Sequence, residues 1–408
     1  MSVVVASRMV TGEEMLAPAG VVVEGGRVVN VVAGSQVGRL CADVTLVDGL
    51  LVPGLLDLQV NGYFGIDFVS ATPVEWSAVA TRLPETGVTA FAPTFITGPL
   101  NRLAAGLRRA EHAMVAARVT NSARIVGVHL EGPFLASSRR GSHNAAFLRD
   151  PTDQALEFLL DAAAPGTLRL MTLAPECPGA LDAVRRLTAA GVLVSLGHTD
   201  ARAVQISAAA DAGARMVTHL FNAQRGLHHR EPGVVGVGLM DHRLTCGLIL
   251  DLHHVVAEVA RLTFAAAPNR VVLTTDAVAA AGMPPGCYLL GDEPVIVEAG
   301  RPPVREDGTL AGSGLRLDEA VANAVALGVD LVSAVAAASR VPADLLGRTD
   351  LGRIAPGAAA DMVWLGEDLR ARATWIGGKL VFGADEAAAR CPRPVLSPSA
   401  INKRGSST

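Results

Sequence analysis

Paired cysteines are missing from this chain. Its five, Cys41, Cys177, Cys246, Cys287 and Cys391, are scattered, odd in number and never in CxxC spacing. A disulfide framework and a thiolate zinc site are thereby excluded as organising devices, and a reducing cytoplasm fits. A membrane span is missing too, since no uninterrupted apolar stretch reaches the roughly 20 residues a bilayer requires. The opening MSVVVASRMVTGEEM has neither the basic start nor the long apolar run of a signal peptide. A soluble cytoplasmic protein is the expectation. Nor is there charge of one sign in quantity: 18% of residues are charged, the formal net charge is -4, and no long single-sign run occurs. This argues against nucleic acid as the main partner, while one basic pocket for a small anion stays open. What the chain does have is 408 residues, half of them hydrophobic, enough for a large core in one big domain or two to three smaller ones.

The ends read as β structure. Val21 to Val23, Gly25-Gly26 and Val28 to Val32 form a hairpin pattern with a glycine turn. Near the other end Asp361 to Leu365 reads as a strand, and Ala373 to Ile376, Gly377-Gly378 and Lys379 to Phe382 as a second such hairpin. A small β-sandwich domain built from both termini, residues 1–52 and 353–390, is expected, with a Pro- and Ser-rich disordered tail over 391–408. Between them, residues 53–352 alternate apolar β-type runs with alanine-rich helical stretches. Eight runs stand out: Leu55 to Val60, Val88 to Ile96, Ile125 to Leu130, Leu168 to Leu173, Val192 to Leu196, Met216 to Thr218, Cys246 to Leu250 and Val271 to Thr275. Their near-continuous hydrophobicity suits strands buried on both faces. The fold class expected is α/β, a (β/α)8 TIM barrel, with an open doubly wound sheet as the alternative.

Polar residues at the ends of those runs favour the barrel, because a parallel barrel gathers the C-terminal ends of its strands at one face. Gln59, Asn61, Glu131, His198, His219, Asp251, His254 and Asp276 all fall there. Glu131, His198 and His219 make one carboxylate and two imidazoles, a donor set for zinc, ferrous iron or manganese that leaves positions open for water and substrate. The competing account pairs Glu131 with an arginine and spends the histidines on core hydrogen bonds. Asp276, ending LTTDA, could take a proton from water and return it to a leaving amine; its bland role is an N-cap. His254 could polarise a carbonyl, but His253 beside it leaves that choice open.

The motifs PGLLDLQVNG at 53–62, HLEGPF at 129–134, GHTDA at 197–201, THLFNA at 218–223, HHREPG at 228–233, TTDA at 274–277 and LAGS at 310–313 resemble, in order, those of the N-acetylglucosamine-6-phosphate deacetylases. GRIAPGAAADMV at 352–363 resembles the return of the chain into the small β domain in the wider amidohydrolase superfamily. The resemblance implies one divalent metal ion per chain at Glu131, His198 and His219, Zn2+ first with Fe2+ or Mn2+ as alternatives, and Asp276 as catalytic acid/base. It implies contacts to a phosphorylated amino sugar from Gln59, Ser142, His143, Asn222, Ala223, Asp251, His254, Leu310, Ala311 and Gly312. It also implies a homodimer in which Arg230 reaches the phosphate in the neighbouring subunit's site.

Two departures matter. Many superfamily members carry His-x-His at the end of the first strand and bind a second metal there; Gln59 and Asn61 are poor ligands by comparison, so a single-metal site is expected. After THLFNA the chain reads Gln224-Arg225-Gly226 where the family usually has Met and often Pro, and an extra cation near the phosphate end is expected from Arg225. The activity expected is hydrolysis of N-acetylglucosamine 6-phosphate to glucosamine 6-phosphate and acetate. The alternatives are N-acetylgalactosamine 6-phosphate or another N-acyl substrate and, outside enzymes, an amidohydrolase-like scaffold.

Overall fold

A computed structural model describes residues 1–119 and 121–383. The expected tail over 391–408 and the last residues of the expected β domain, 384–390, lie outside the described residues. Among those described, no helix is long and apolar enough to cross a membrane.

The eight apolar runs become eight parallel barrel strands: β1 Leu55–Val60, β2 Val88–Ile96, β3 Val128–Glu131, β4 Leu168–Leu173, β5 Leu193–Leu196, β6 Met216–Val217, β7 Thr245–Leu248 and β8 Val271–Leu273. Each pairs with the next in sequence order. The ring closes just past the strand ends, where Asp276 N–H donates to the Gln59 carbonyl at 2.9 Å and Asn61 N–H to the Ala277 carbonyl at 2.7 Å. The open doubly wound alternative is thereby set aside. The third run differs from expectation in one respect. Arg124–Ile125 is a separate short strand, and Gly127, at φ +129°, breaks the run before β3 begins. A Cβ at Gly127 would stand 2.0 Å from the Arg169 Cγ, so glycine is required where the chain shifts its pairing on β2 by one residue.

Alanine-rich helices follow the strands, among them α1 Pro73–Arg82, started by a capping box in which Thr72 and Glu75 satisfy each other's backbone N–H groups. The terminal segments form two sheets. One holds Arg27–Ala33, Ala19–Glu24, Ser2–Ala6 and Val44–Leu46; the other runs from Lys379–Phe382 through Ala371–Ile376, Met362–Leu365 and Leu50–Pro53 to Met9–Val10 and Met15–Leu16. Both glycine pairs have positive φ at both residues, +57° and +79° at Gly25-Gly26, +56° and +74° at Gly377-Gly378. That is the tight hairpin turn whose twist matches the strands it joins. Val4, Val21, Leu51, Met362 and Trp375 share a core between the two sheets, so the termini pack as a sandwich.

An element with no counterpart in the sequence reading is a hairpin of Gly286–Leu290 with Glu293–Val297, inserted after β8. Leu290 and the following Thr309 and Leu310 reach the mouth of the barrel.

Candidate active site

Glu131 ends β3, His198 follows β5 and His219 follows β6. Parallel strands therefore deliver the three side chains to one face, and all are buried. Glu131 Oε1 lies 3.1 Å from His198 Nε2 and 2.9 Å from His219 Nε2, and the two imidazole nitrogens are 3.2 Å apart. Donors bound to one ion at about 2.0–2.2 Å stand about 3–3.5 Å from one another, so the trio has the spacing of a metal-binding set. The alternative of an arginine partner for Glu131 fails, since its carboxylate meets the histidines and Gln59 instead.

Protonation supports a cation at this point. The Arg139 carbonyl oxygen lies 3.0 Å from His198 Nδ1, which must carry the proton to satisfy it. His198 Nε2 then faces a carboxylate oxygen at 3.1 Å, an approach that calls for a proton or a metal ion between the two atoms. The two imidazoles hold Glu131 well below the usual carboxylate range although burial opposes its charge, and burial works against charge on His219 while Glu131 pulls its pKa up. A divalent ion bound there would take the place of those protons.

His143 could compete, since Glu131, His143 and His198 also each offer an atom within 4.8 Å of the others. Its hydrogen bonds argue otherwise. The Thr97 N–H donates to His143 Nδ1 at 3.3 Å, and the Thr97 hydroxyl lies 2.8 Å from the same nitrogen. Nδ1 is thus the acceptor and Nε2 carries the hydrogen, while burial pushes the ring's pKa down to about 3, keeping it neutral. An N–H cannot ligate; it donates. His143 therefore presents a hydrogen-bond donor beside the trio, 3.8 Å from Glu131 Oε2.

Asp276 follows β8. Its Oδ1 accepts from Gln59 Nε2 at 2.9 Å and Asn61 Nδ2 at 2.7 Å, and Gln59 Nε2 also donates to Glu131 Oε1 at 3.0 Å. The two amides thus act as donors to the carboxylates. Gln59 Oε1 and Asn61 Oδ1 are left buried without partners, as is His219 Nδ1. Burial, with the Glu131 charge added, raises Asp276 to about 7. His198, His219 and Asp276 all have positive φ, +47°, +26° and +51°. Left-handed backbone at non-glycine residues is costly and clusters at functional sites.

These residues line a cleft of about 340 Å³ together with Ser142, His143, Asn222, Ala223, His254, Leu310 and Gly312, a volume within the range of small-molecule sites. Other expected contacts lie outside the cleft wall. Ala311 is fully buried between Leu310 and Gly312. Gln59 sits underneath, and Asp251 stands behind His254, accepting its Nδ1–H at 2.7 Å. His254 is the histidine that faces the cleft; His253 is exposed and lines a separate depression. Arg230 is exposed and its guanidinium has no hydrogen-bond or ion-pair partner among the described residues, while Glu231 accepts instead from the Ala203 and Gly233 N–H groups. The extra cation expected from Arg225 is not free: its guanidinium is spent on Asp200, at 2.6 Å to Oδ2 and 2.7 Å to the carbonyl. A larger groove of about 570 Å³ lies at the opposite end of the barrel, beside the start of β8, and holds none of this chemistry.

Sequence reasoning missed a polar layer beneath the site. Asp57 on β1 accepts from the Thr274 and Thr275 hydroxyls at 3.0 and 2.6 Å, tying β1 to the segment that carries Asp276. His129, two residues before Glu131 and facing the same way, lies 2.8 Å from the Thr172 hydroxyl, which continues to Thr218 at 2.7 Å and Ser195 at 2.6 Å. One signal was available: a charged or imidazole group inside an otherwise apolar run, as in LLDLQV and VHLE.

The family model for the amidohydrolase family matches residues 50–381. The chain belongs to the amidohydrolase family. It is 41% identical over 334 residues to the N-acetylgalactosamine-6-phosphate deacetylase of Escherichia coli O157:H7, covering 81% of this chain and 87% of that one. It is 36% identical to the N-acetylglucosamine-6-phosphate deacetylase of Vibrio furnissii, over 93% and 94% of the two chains. A solved structure of a variant Mycobacterium smegmatis N-acetyl-D-glucosamine-6-phosphate deacetylase, in complex with N-acetyl-D-glucosamine-6-phosphate, superimposes with a TM-score of 0.88 at 35% identity, covering 93% of this chain and 99% of that one.

Proposed function

We propose that the chain hydrolyses the acetamide of N-acetyl-D-glucosamine 6-phosphate, giving D-glucosamine 6-phosphate and acetate. The observation that carries this reading is the convergence of Glu131, His198 and His219 within 3.2 Å, joined to a buried Asp276 through Gln59.

Glu131, His198 and His219 would hold one divalent ion, zinc by donor type. When bound, that ion supplies Lewis acidity toward the water and the amide carbonyl. The chain's own residues do the rest. Asp276, ionised and placed by two amide donors, accepts a proton from the attacking water and delivers it to the departing nitrogen, so one proton moves from water to amine as the C–N bond breaks. His143, with its proton on Nε2, and His254, braced by Asp251, offer hydrogen bonds to the substrate in the cleft. Asn222 and Ala223, which line the cleft, would contact the phosphorylated sugar.

No arginine or lysine is among the described residues lining the cleft, yet a phosphate dianion calls for one. Exposed and unpartnered, Arg230 is suited to serve a second copy's cleft, which supports a homodimer as the active unit. A second reading, deacetylation of N-acetylgalactosamine 6-phosphate, is favoured by the 41% identical relative of that name. Steady-state assays on the two epimeric 6-phosphates, with metal analysis of the same sample, decide between them. Faster turnover of the gluco epimer is expected; a preference for the galacto epimer would transfer the proposal to it.

A further inference from the structure

We infer that Arg225, Asp200 and Arg139 form a positioning bridge that aligns the ligand face of His198 and couples it to the loop carrying His219. The inference rests on the metal set proposed above.

The Ser137–Arg139 turn holds His198 at two points, through Ala136 N–H to the His198 carbonyl at 3.0 Å and through the Arg139 carbonyl to His198 Nδ1 at 3.0 Å. The Arg139 guanidinium returns to Asp200, two residues beyond His198, at 2.8 Å. That closes a ring around the imidazole. Asp200 uses its other oxygen for Arg225 Nη2 at 2.6 Å, while the Arg225 N–H donates to the Thr199 carbonyl at 3.0 Å. Arg225 belongs to the loop after β6, six residues past His219. A single carboxylate thus ties together three loops, two of which carry histidines of the trio. Glu176 fixes the same stretch from the other side, accepting from the Thr199 hydroxyl and the Asp200 N–H.

All three members are about a third exposed, with side-chain accessibilities of 39%, 33% and 32% for Arg139, Asp200 and Arg225. Ion pairs that exposed add little to global stability. Partners that orient a ligating imidazole through its other nitrogen, by contrast, are felt in metal affinity, typically by about 10-fold to 100-fold. Arg225 belongs to the Gln224-Arg225-Gly226 segment by which this chain departs from the motif it resembles.

The test is chelator competition for zinc, with melting of the metal-free protein measured alongside. Arg225→Met and Asp200→Asn should each raise the zinc dissociation constant about tenfold while leaving the metal-free melting temperature near that of the parent. Arg225→Lys, which keeps the charge but lacks the two-pronged donor, should recover part of the loss. An unchanged dissociation constant in both Arg225→Met and Asp200→Asn overturns the bridge, as does an affinity loss that only mirrors a loss of metal-free stability. His219→Ala separates the two layers of argument. It should lose zinc outright, and if it does not, the metal set itself is wrong and the bridge falls with it.

Discussion

At the scale of single residues, the account turns on Asp276. Its carboxylate is buried, shares two amide donors and carries a pKa raised to about 7 by burial and by the charge of Glu131. A base must be unprotonated to act, so turnover should fall as pH drops through its pKa. A neighbouring cation lowers that pKa, placing the acid limb of the kcat profile at or below about pH 7. Asp276→Asn keeps the shape and the neighbours but cannot accept a proton, so kcat should drop by at least about 10²-fold to 10⁴-fold while bound metal stays. Near-normal turnover in that variant would assign the base elsewhere. His198→Ala and His219→Ala should each strip metal and activity together, and elemental analysis of the parent should find about one ion per chain; two ions at full activity would contradict the donor role given to Gln59 and Asn61. That Glu131, His198, His219 and Asp276 come together at one face could be read from their places at strand ends. The choice of His254 over His253 could not, because only the turn made by Asp251 decides which ring faces inward.

Among elements, the strands were legible because burial on both faces leaves an apolar run that few other structures require. The break at Gly127 was not, since a glycine in a strand pattern becomes a bulge only through what stands opposite it, here Arg169. The Gly286–Leu290 and Glu293–Val297 hairpin was also hidden. Its strands are mostly exposed or half-buried, with only Leu290 and Val295 buried, and its anchoring is long-range: Arg305 pairs with Glu293 at 2.7 Å and donates to the Ser142 carbonyl at 2.7 Å. Asp57 shows how joining elements carries a cost. Burial pushes its carboxyl up to about 6 from an ordinary 3.8. Between those values the folded protein keeps a proton that the unfolded chain has released, so this group lowers stability as pH rises from about 4 to about 6, by up to roughly 3 kcal/mol. In Asp57→Asn no such proton exists. Denaturant titrations of the metal-free variant should therefore show a flatter stability profile over that pH window than the parent, and parallel profiles would mean that Asp57 is already ionised at low pH.

For the molecule as a whole, a sandwich built from both termini closes against a barrel whose open face carries the site, and no arginine or lysine is among the described residues lining its cleft. The expectation of a homodimer came from the resemblance alone, since nothing in the residues themselves says that Arg230 faces a partner. Arg230→Ala should weaken kcat/KM for the phosphorylated sugar by about 2–4 kcal/mol, as for loss of a desolvated charged partner, and leave the slow hydrolysis of unphosphorylated N-acetylglucosamine nearly unchanged. An equal loss on both would mean that the residue serves the fold. The central claim is tested most directly by measuring acetate release from N-acetyl-D-glucosamine 6-phosphate by the zinc-loaded protein. The account predicts one acetate and one glucosamine 6-phosphate per substrate consumed, abolished by a chelator and restored by about one equivalent of zinc per chain; a metal-loaded protein that releases no acetate from that sugar would contradict it.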